Sequence, residues 1–235
     1  MLADLHHLCH RVQFAEQVND HWGFAAGSPS YTSTIALFAG PSGTGKTLAA
    51  RAIAQTLQSS LICVDLTQVP LNEVPQLLQT LAVQAPTVLL LKAAHIWLSR
   101  TALLNSTVVH QFLALRQQHN SITLLSTHYK QSVAAPWRRQ MIALLDFPLP
   151  DHAARLKLWQ QAFPAQVSLD QDIDWQWLAQ HVGVSGGEIS AIARDAAFYA
   201  AATAETRVTM QHLLQACKKG NGMMSRSRKR EAEEH

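Results

Sequence analysis

The chain has 235 residues, of which 48% are apolar and only 15% charged, with a formal net charge of +3. That length supports one large domain or two small ones around a buried core, and the composition excludes a wholly disordered chain. No apolar run approaches the roughly 18 residues that a membrane span needs, and Asp4, His6, His7 and His10 after Met1 do not read as a secretory signal.

Leu5, Leu8, Val12, Ala15 and Val18 form one stripe and predict a helix over residues 2–19. His6 and His10 on it read as a polar face, because ligand spacing alone does not make a metal site. Trp22, Gly23 and Phe24, then Gly27, Ser28, Pro29 and Ser30, read as a loop. Strands are predicted at 34–39, 61–65, 87–91 and 122–126, with a fifth inside 141–147 that Pro148 and Pro150 end. Helices are predicted between them at 48–57, 74–83 and 108–118, with Pro75 in a first turn, where proline is tolerated. Such alternation predicts a parallel sheet covered by helices on both faces.

After Pro150 only helical periodicity is found, at 151–163, 175–181, 188–202 and 210–218. Ser185 and Glu188 have the spacing of a capping box. Trp159, Trp175 and Trp177 in this part read as packing residues. The predicted organisation is an N-terminal helix and linker (1–33), an α/β core (34–150), a helical domain (151–218) and a polar tail (219–235). Cys9, Cys63 and Cys217 are too far apart for a disulfide framework or a metal knuckle, and predict reduced thiols in a cytoplasmic protein.

Gly40, Pro41, Ser42, Gly43, Thr44, Gly45, Lys46 and Thr47 complete the pattern G-x-x-x-x-G-K-[ST], after a predicted strand and before a predicted helix. Glycines let backbone N–H groups wrap a phosphate, and the helix N-terminus adds partial positive charge. Lys46 suits the β- and γ-phosphates, and the Thr47 hydroxyl suits Mg²⁺.

The loop, the order of strands and helices, and the helical part after them resemble the AAA+ ATPases over residues 1–217. Trp22, Gly23 and Phe24 stand where bacterial single-chain members carry Trp-Gly-Phe, and Leu149, Pro150 and Asp151 resemble the family's boundary between core and lid. The resemblance implies a P-loop NTPase fold: a five-stranded parallel sheet sandwiched by helices, then a small all-α lid. It implies ATP or ADP with Mg²⁺, and hexameric rings with ATP between neighbours. Gly186 and Gly187 resemble the second sensor region beside the nucleotide, and Arg139, with Arg138 beside it, resembles the arginine finger that completes a neighbour's site.

The chain departs from the family at its acidic pair. Lys92 stands where an Asp holds Mg²⁺ through water, and Ala93 where a Glu polarises the attacking water. A cation there is repulsive to Mg²⁺, and alanine cannot act as a base. Asp65, on an edge strand of that fold, and Glu73 are poor substitutes. His128 stands where the family has a sensor Asn, and can still donate a hydrogen bond. Residues 66–86 hold no aromatic residue and no glycine, so the pore loop of polypeptide-threading members is missing.

The basic charge gathers at the C-terminus. Residues 218–235 hold six Lys/Arg and three acids, which leaves 13 of each sign in residues 1–217. Arg226, Arg228, Lys229 and Arg230 form a short cluster without aromatic residues that could stack on bases, so a solubilising end is favoured over a nucleic-acid arm. A neutral, charge-poor body favours association. The leading expectation is therefore an ATP-binding AAA+ module, weak or silent in hydrolysis, that assembles with itself or with other AAA+ subunits. The alternatives are an active ATPase remodelling a protein client and a DNA-associated AAA+ regulator. The client is not readable from the sequence.

Overall fold

The computed structural model describes residues 1–24, 33–70, 72–100, 102 and 106–219. Five short strands form one parallel sheet: β1 (Thr34–Ala39), β2 (Leu61–Asp65), β3 (Val88–Lys92), β4 (Ile122–Thr127) and β5 (Ala143–Asp146). Their spatial order is β2-β3-β4-β1-β5, so β1 and β4 are interior and β2 and β5 are edges. Every residue of β1 and β4 is buried, whereas β2 and β5 are mostly half-buried or exposed.

The pleat sends alternate residues of β1 to opposite faces. Ala36 and Phe38 pack with Leu8 and Val12 of α1 (Leu2–Gln13) and with Ala50 and Ile53 of α2 (Lys46–Thr56). Ile35 and Leu37 pack on the other face with Leu78 of α3 (Val74–Gln84), Trp97 of α4 (His95–Leu98), Phe112 of α5 (Ser106–Gln117) and Trp137 of α6 (Ala135–Arg138). Fully burying one such Leu, Ile or Phe is worth about 1.5–3 kcal/mol. A one-residue register slip would exchange the two sets and lose most of that.

The chain divides into two compact units: Met1–Pro41 with Gly45–Phe147, and Ser42–Thr44 with the chain from Pro148. In the second unit, α7 (His152–Gln160), α8 (Trp175–His181), α9 (Gly186–Ala202) and α10 (Met210–Lys219) enclose their own core around fully buried Trp159. Three of these helices begin on side-chain caps. Asp151 accepts the Ala154 N–H at 2.8 Å and Asp174 accepts the Trp177 N–H at 2.8 Å. The Ser185–Glu188 capping box is present with both arms, the Ser185 N–H donating to Glu188 Oε2 at 2.8 Å and the Glu188 N–H to Ser185 Oγ at 3.4 Å. Trp175 and Trp177 are half-buried against the same core.

Some expectations need correction. The first helix ends at Gln13 rather than running to residue 19, and Gln17–His21 wind as a π-helical turn. Ala15 is still buried and Val18 half-buried, so the stripe persists although the winding changes. Over one turn, side-chain spacing barely separates the two windings. An isolated parallel bridge, Leu169 to Val208, lies in the part read as purely helical. The expected loop at residues 27–30 and the basic cluster Arg226, Arg228, Lys229 and Arg230 lie outside the described residues.

Arg116 on α5 is fully buried, which its type does not foretell. Its Nε donates to Thr123 Oγ1 at 3.1 Å, its Nη1 to Pro86 O at 2.8 Å and its Nη2 to Ile122 O at 3.4 Å. Burial pulls its pKa down to about 10, which leaves it charged at neutral pH. One planar fork thus ties the segment before β3 to the start of β4. Arg116→Ala would leave these three acceptors unmet and open a cavity. The expected loss is about 2–4 kcal/mol in urea denaturation, with Arg116→Lys falling between. A change under about 0.5 kcal/mol, the usual size at an unremarkable surface position, would contradict this role.

Candidate phosphate-binding site

β1 ends at Ala39, and Gly40 opens a loop whose shape only glycine permits. Gly40 has φ +152°, and a Cβ there would collide with the Phe147 carbonyl oxygen. The close approach is fixed from both sides: the Gly40 N–H donates to Thr127 O at 3.1 Å, and the Phe147 N–H to Ala39 O at 2.6 Å. Gly43 and Gly45 also have positive φ, +75° and +101°. The loop then enters α2, whose first residues are Lys46 and Thr47.

Lys46 Nζ donates to Gly40 O at 2.6 Å and to Pro41 O at 2.7 Å. These carbonyls occupy donors that an arriving phosphate oxygen would take. Burial lowers the Lys46 pKa from the ordinary lysine value. The ammonium is therefore partly stripped of water and directed into the loop, which strengthens its pull on an anion. Thr47 is half-buried, and Leu48 beside it is exposed.

Within the second unit, the loop tip and the start of α9 meet. The Gly187 N–H donates to Gly43 O at 2.9 Å, and a Cβ on Gly43 would strike Ser185 Oγ. Gly187 is exposed.

β3 ends on Lys92, and Ala93 follows in the left-handed region at φ +56°. That turn is held by the Ala94 N–H donating to Ser126 O at 2.9 Å and the Ile96 N–H donating to Ala93 O at 3.0 Å. Asp65, opposite Lys92 in the β2–β3 ladder, is already engaged. Its Oδ1 accepts the Thr67 hydroxyl at 2.6 Å and the Thr67 N–H at 3.1 Å. The Thr67 bonds lower the Asp65 pKa, with a smaller contribution from the Lys92 charge.

His128, the expected sensor position, is exposed, with its ring 6.5 Å from that of Tyr129. The residue of β4 that reaches the loop is Thr127, one position earlier. Its hydroxyl lies 2.8 Å from Ser132 Oγ and 3.5 Å from His95 Nδ1. Sequence reading passed over both Thr127 and His95. The available signal was that Thr127 directly follows the strand predicted at 122–126, next to His128.

Arg138 ends α6, half-buried, and Arg139 caps it, exposed. The short helix is anchored by Trp137, 8% exposed, whose ring lies 4.2 Å from that of His110 at a tilt of 33°. The Ala134 N–H also donates to Leu98 O at 2.7 Å. Neither arginine forms an ion pair among the described residues. Because Trp137 belongs to the core opposite α2, α6 lies on the other face of the sheet from the phosphate-loop helix.

The family described as ATPase family associated with various cellular activities (AAA) matches residues 36–149. The chain carries an AAA domain. A curated relative, the 26S proteasome regulatory subunit 8 homolog of Encephalitozoon cuniculi (strain GB-M1), is 28% identical over 74% of this chain. The chain spans half the length of that relative. A solved structure described as "Structural Basis for Katanin Self-Assembly" shares the fold, with a TM-score of 0.65 and 20% identity over 93% of this chain and 82% of that one. Nucleotide binding goes with the AAA family. Mg²⁺ commonly accompanies it, and the donors present do not fit that ion. Thr47 offers a hydroxyl, the strand-end position holds the Lys92 ammonium, Ala93 offers nothing, and Asp65, with Oδ1 held by Thr67, lies on edge strand β2, separated from β1 by β3 and β4. Among the described residues no group of three or more His, Cys, Asp and Glu side chains could hold a metal. Nor is any described helix long and apolar enough to cross a membrane.

Proposed function

We propose that this chain is a nucleotide-binding AAA subunit with a catalytically silent site, serving a structural or regulatory role in an oligomeric assembly in the cytoplasm. The observation that carries this reading is the contrast within one site. The phosphate loop has every residue of its motif, with Lys46 aimed into it, while the strand end that would supply the acids carries Lys92 and Ala93. Binding phosphate needs loop N–H groups and a cation; hydrolysing it also needs a positioned water and compensation of developing charge. Reduced, unpaired Cys9, Cys63 and Cys217 suit the cytoplasm. Gly187 and the loop tip, through the Gly43 contact, would respond to the bound nucleotide.

Titration of the chain with ATP and ADP tests the reading. Both should bind, and Lys46→Ala should weaken binding about tenfold or more, since it removes a charge-assisted contact worth about 1.5–3 kcal/mol. Equal binding by wild type and variant, or none by either, would refute it. One observation favours the alternative of an active protein-remodelling ATPase: the half-buried His95 imidazole lies 3.5 Å from the Thr127 hydroxyl, at the end of β4 beside the loop. Steady turnover that disappears in His95→Ala would establish that alternative.

A further inference from the structure

We infer that Lys92 takes the place of the divalent cation, so that this site binds nucleoside di- and triphosphates without Mg²⁺. The inference rests on the nucleotide-binding reading above and specifies the form of its ligand.

Three placements support it. First, Leu90 packs in the core under α2 with Ala49, Ala50 and Ile53. Lys92 is two residues further along β3, so the pleat directs it to the same face, the one on which α2 begins with Lys46 and Thr47. Second, the register puts the strand end level with the loop. Leu91 pairs with Leu125 and Leu125 with Leu37, so Lys92 lies level with Phe38, two residues before Gly40. β3 and β1 are separated only by β4, about 10 Å across the sheet, and the flexible four-carbon stem of lysine covers much of that distance. Third, Lys92 forms no ion pair among the described residues. Asp65, opposite it in the ladder, has Oδ1 held by Thr67 and does not pair with the ammonium, which can therefore turn toward an arriving anion.

The electrostatic balance follows. A polyphosphate in the loop meets Lys46, the α2 N-terminus and the Lys92 charge. A dication at the usual position would face Lys92 at close range, while Asp65, the acid paired with Lys92 in the ladder, lies one strand further from the loop on edge strand β2. A fixed monocation that repels the dication and attracts the same phosphate oxygens acts as its substitute.

The test titrates the full chain with ADP by calorimetry, once with excess MgCl₂ and once with EDTA, for wild type, Lys92→Gln and Lys92→Asp. Wild-type affinity should differ by less than about threefold between buffers, since the dication makes no net contact. Lys92→Gln should lose about tenfold in EDTA, the cost of one charged contact. Lys92→Asp should bind poorly in EDTA and regain affinity with Mg²⁺. Thermal melts check that each variant is folded, and Lys92→Arg, which keeps the charge, should behave as wild type. A wild-type loss of tenfold or more in EDTA, or Lys92→Gln matching wild type there, would overturn the substitution while leaving nucleotide binding intact. Absence of ADP binding in both buffers would overturn the underlying reading as well.

Discussion

Co-assembled with a catalytically intact AAA neighbour, Arg139→Ala should lower the neighbour's ATP turnover by about 10³–10⁵-fold, the worth of an arginine supplied in trans to a phosphoryl-transfer site. The structure gives Arg139 the properties this task needs. It is exposed, it has no ion-pair partner among the described residues, and it stands on a support held by Trp137 and by the Ala134–Leu98 hydrogen bond. A long side chain on a rigid base loses less entropy when it docks than one on a loose loop. Arg138, half-buried, should matter less. The measurement compares turnover of the co-purified ATPase with wild-type chain, Arg138→Ala and Arg139→Ala. If the rate ignores both arginines, the pair is a solvated surface feature. If the chain stays monomeric with nucleotide and no ATPase co-purifies, the assembly itself is refuted.

The purified chain alone should release phosphate from ATP at the rate of its Lys46→Ala variant. A positioned general base contributes about 10²–10⁴-fold, and Ala93 supplies none. Lys92→Asp with Ala93→Glu should raise turnover, because the backbone already accepts the change. Residue 93 sits at φ +56°, a cost of about 1–2 kcal/mol that alanine and glutamate share. The bonds of Ala94 to Ser126 and of Ile96 to Ala93 are main-chain and survive the substitution. Steady wild-type turnover that Lys46→Ala abolishes would contradict a silent site.

The sheet was legible because its strands are short, apolar and bounded by breakers. Residues 61–65 and 175–181 were read with the same limits the structure shows for β2 and α8, and the capping box at Ser185 announced the start of α9. The helices α4 and α6, four residues each, were not seen, because one turn carries no period. Arg116 was also hidden. A charge on a helix reads as solvent-facing, and its acceptors, Pro86 O, Ile122 O and Thr123 Oγ1, are two main-chain carbonyls and a hydroxyl that only the folded sheet brings together. At the phosphate loop the residue types announced the motif, but not that Lys46 rests on its own loop carbonyls. A sequence pattern specifies which groups are present and leaves open which of them satisfy one another without ligand.

The placement of the phosphate-loop helix and α6 on opposite faces of one sheet also bears on symmetry. A contact joining the loop of one copy to Arg139 of the next is head-to-tail, because the two surfaces that meet are different. Such a contact cannot close on itself as a two-fold dimer, and each addition leaves one unlike surface open at either end. Growth stops only when the rotation between successive copies brings the last head to the first tail. A silent subunit inserted in that series consumes one neighbour's arginine and offers its own to the next, so it occupies a full place without interrupting the chain of contacts. Under the proposed contact, partners would be added in series, closing into rings where the rotation allows and extending into filaments where it does not, and never pairing off two by two.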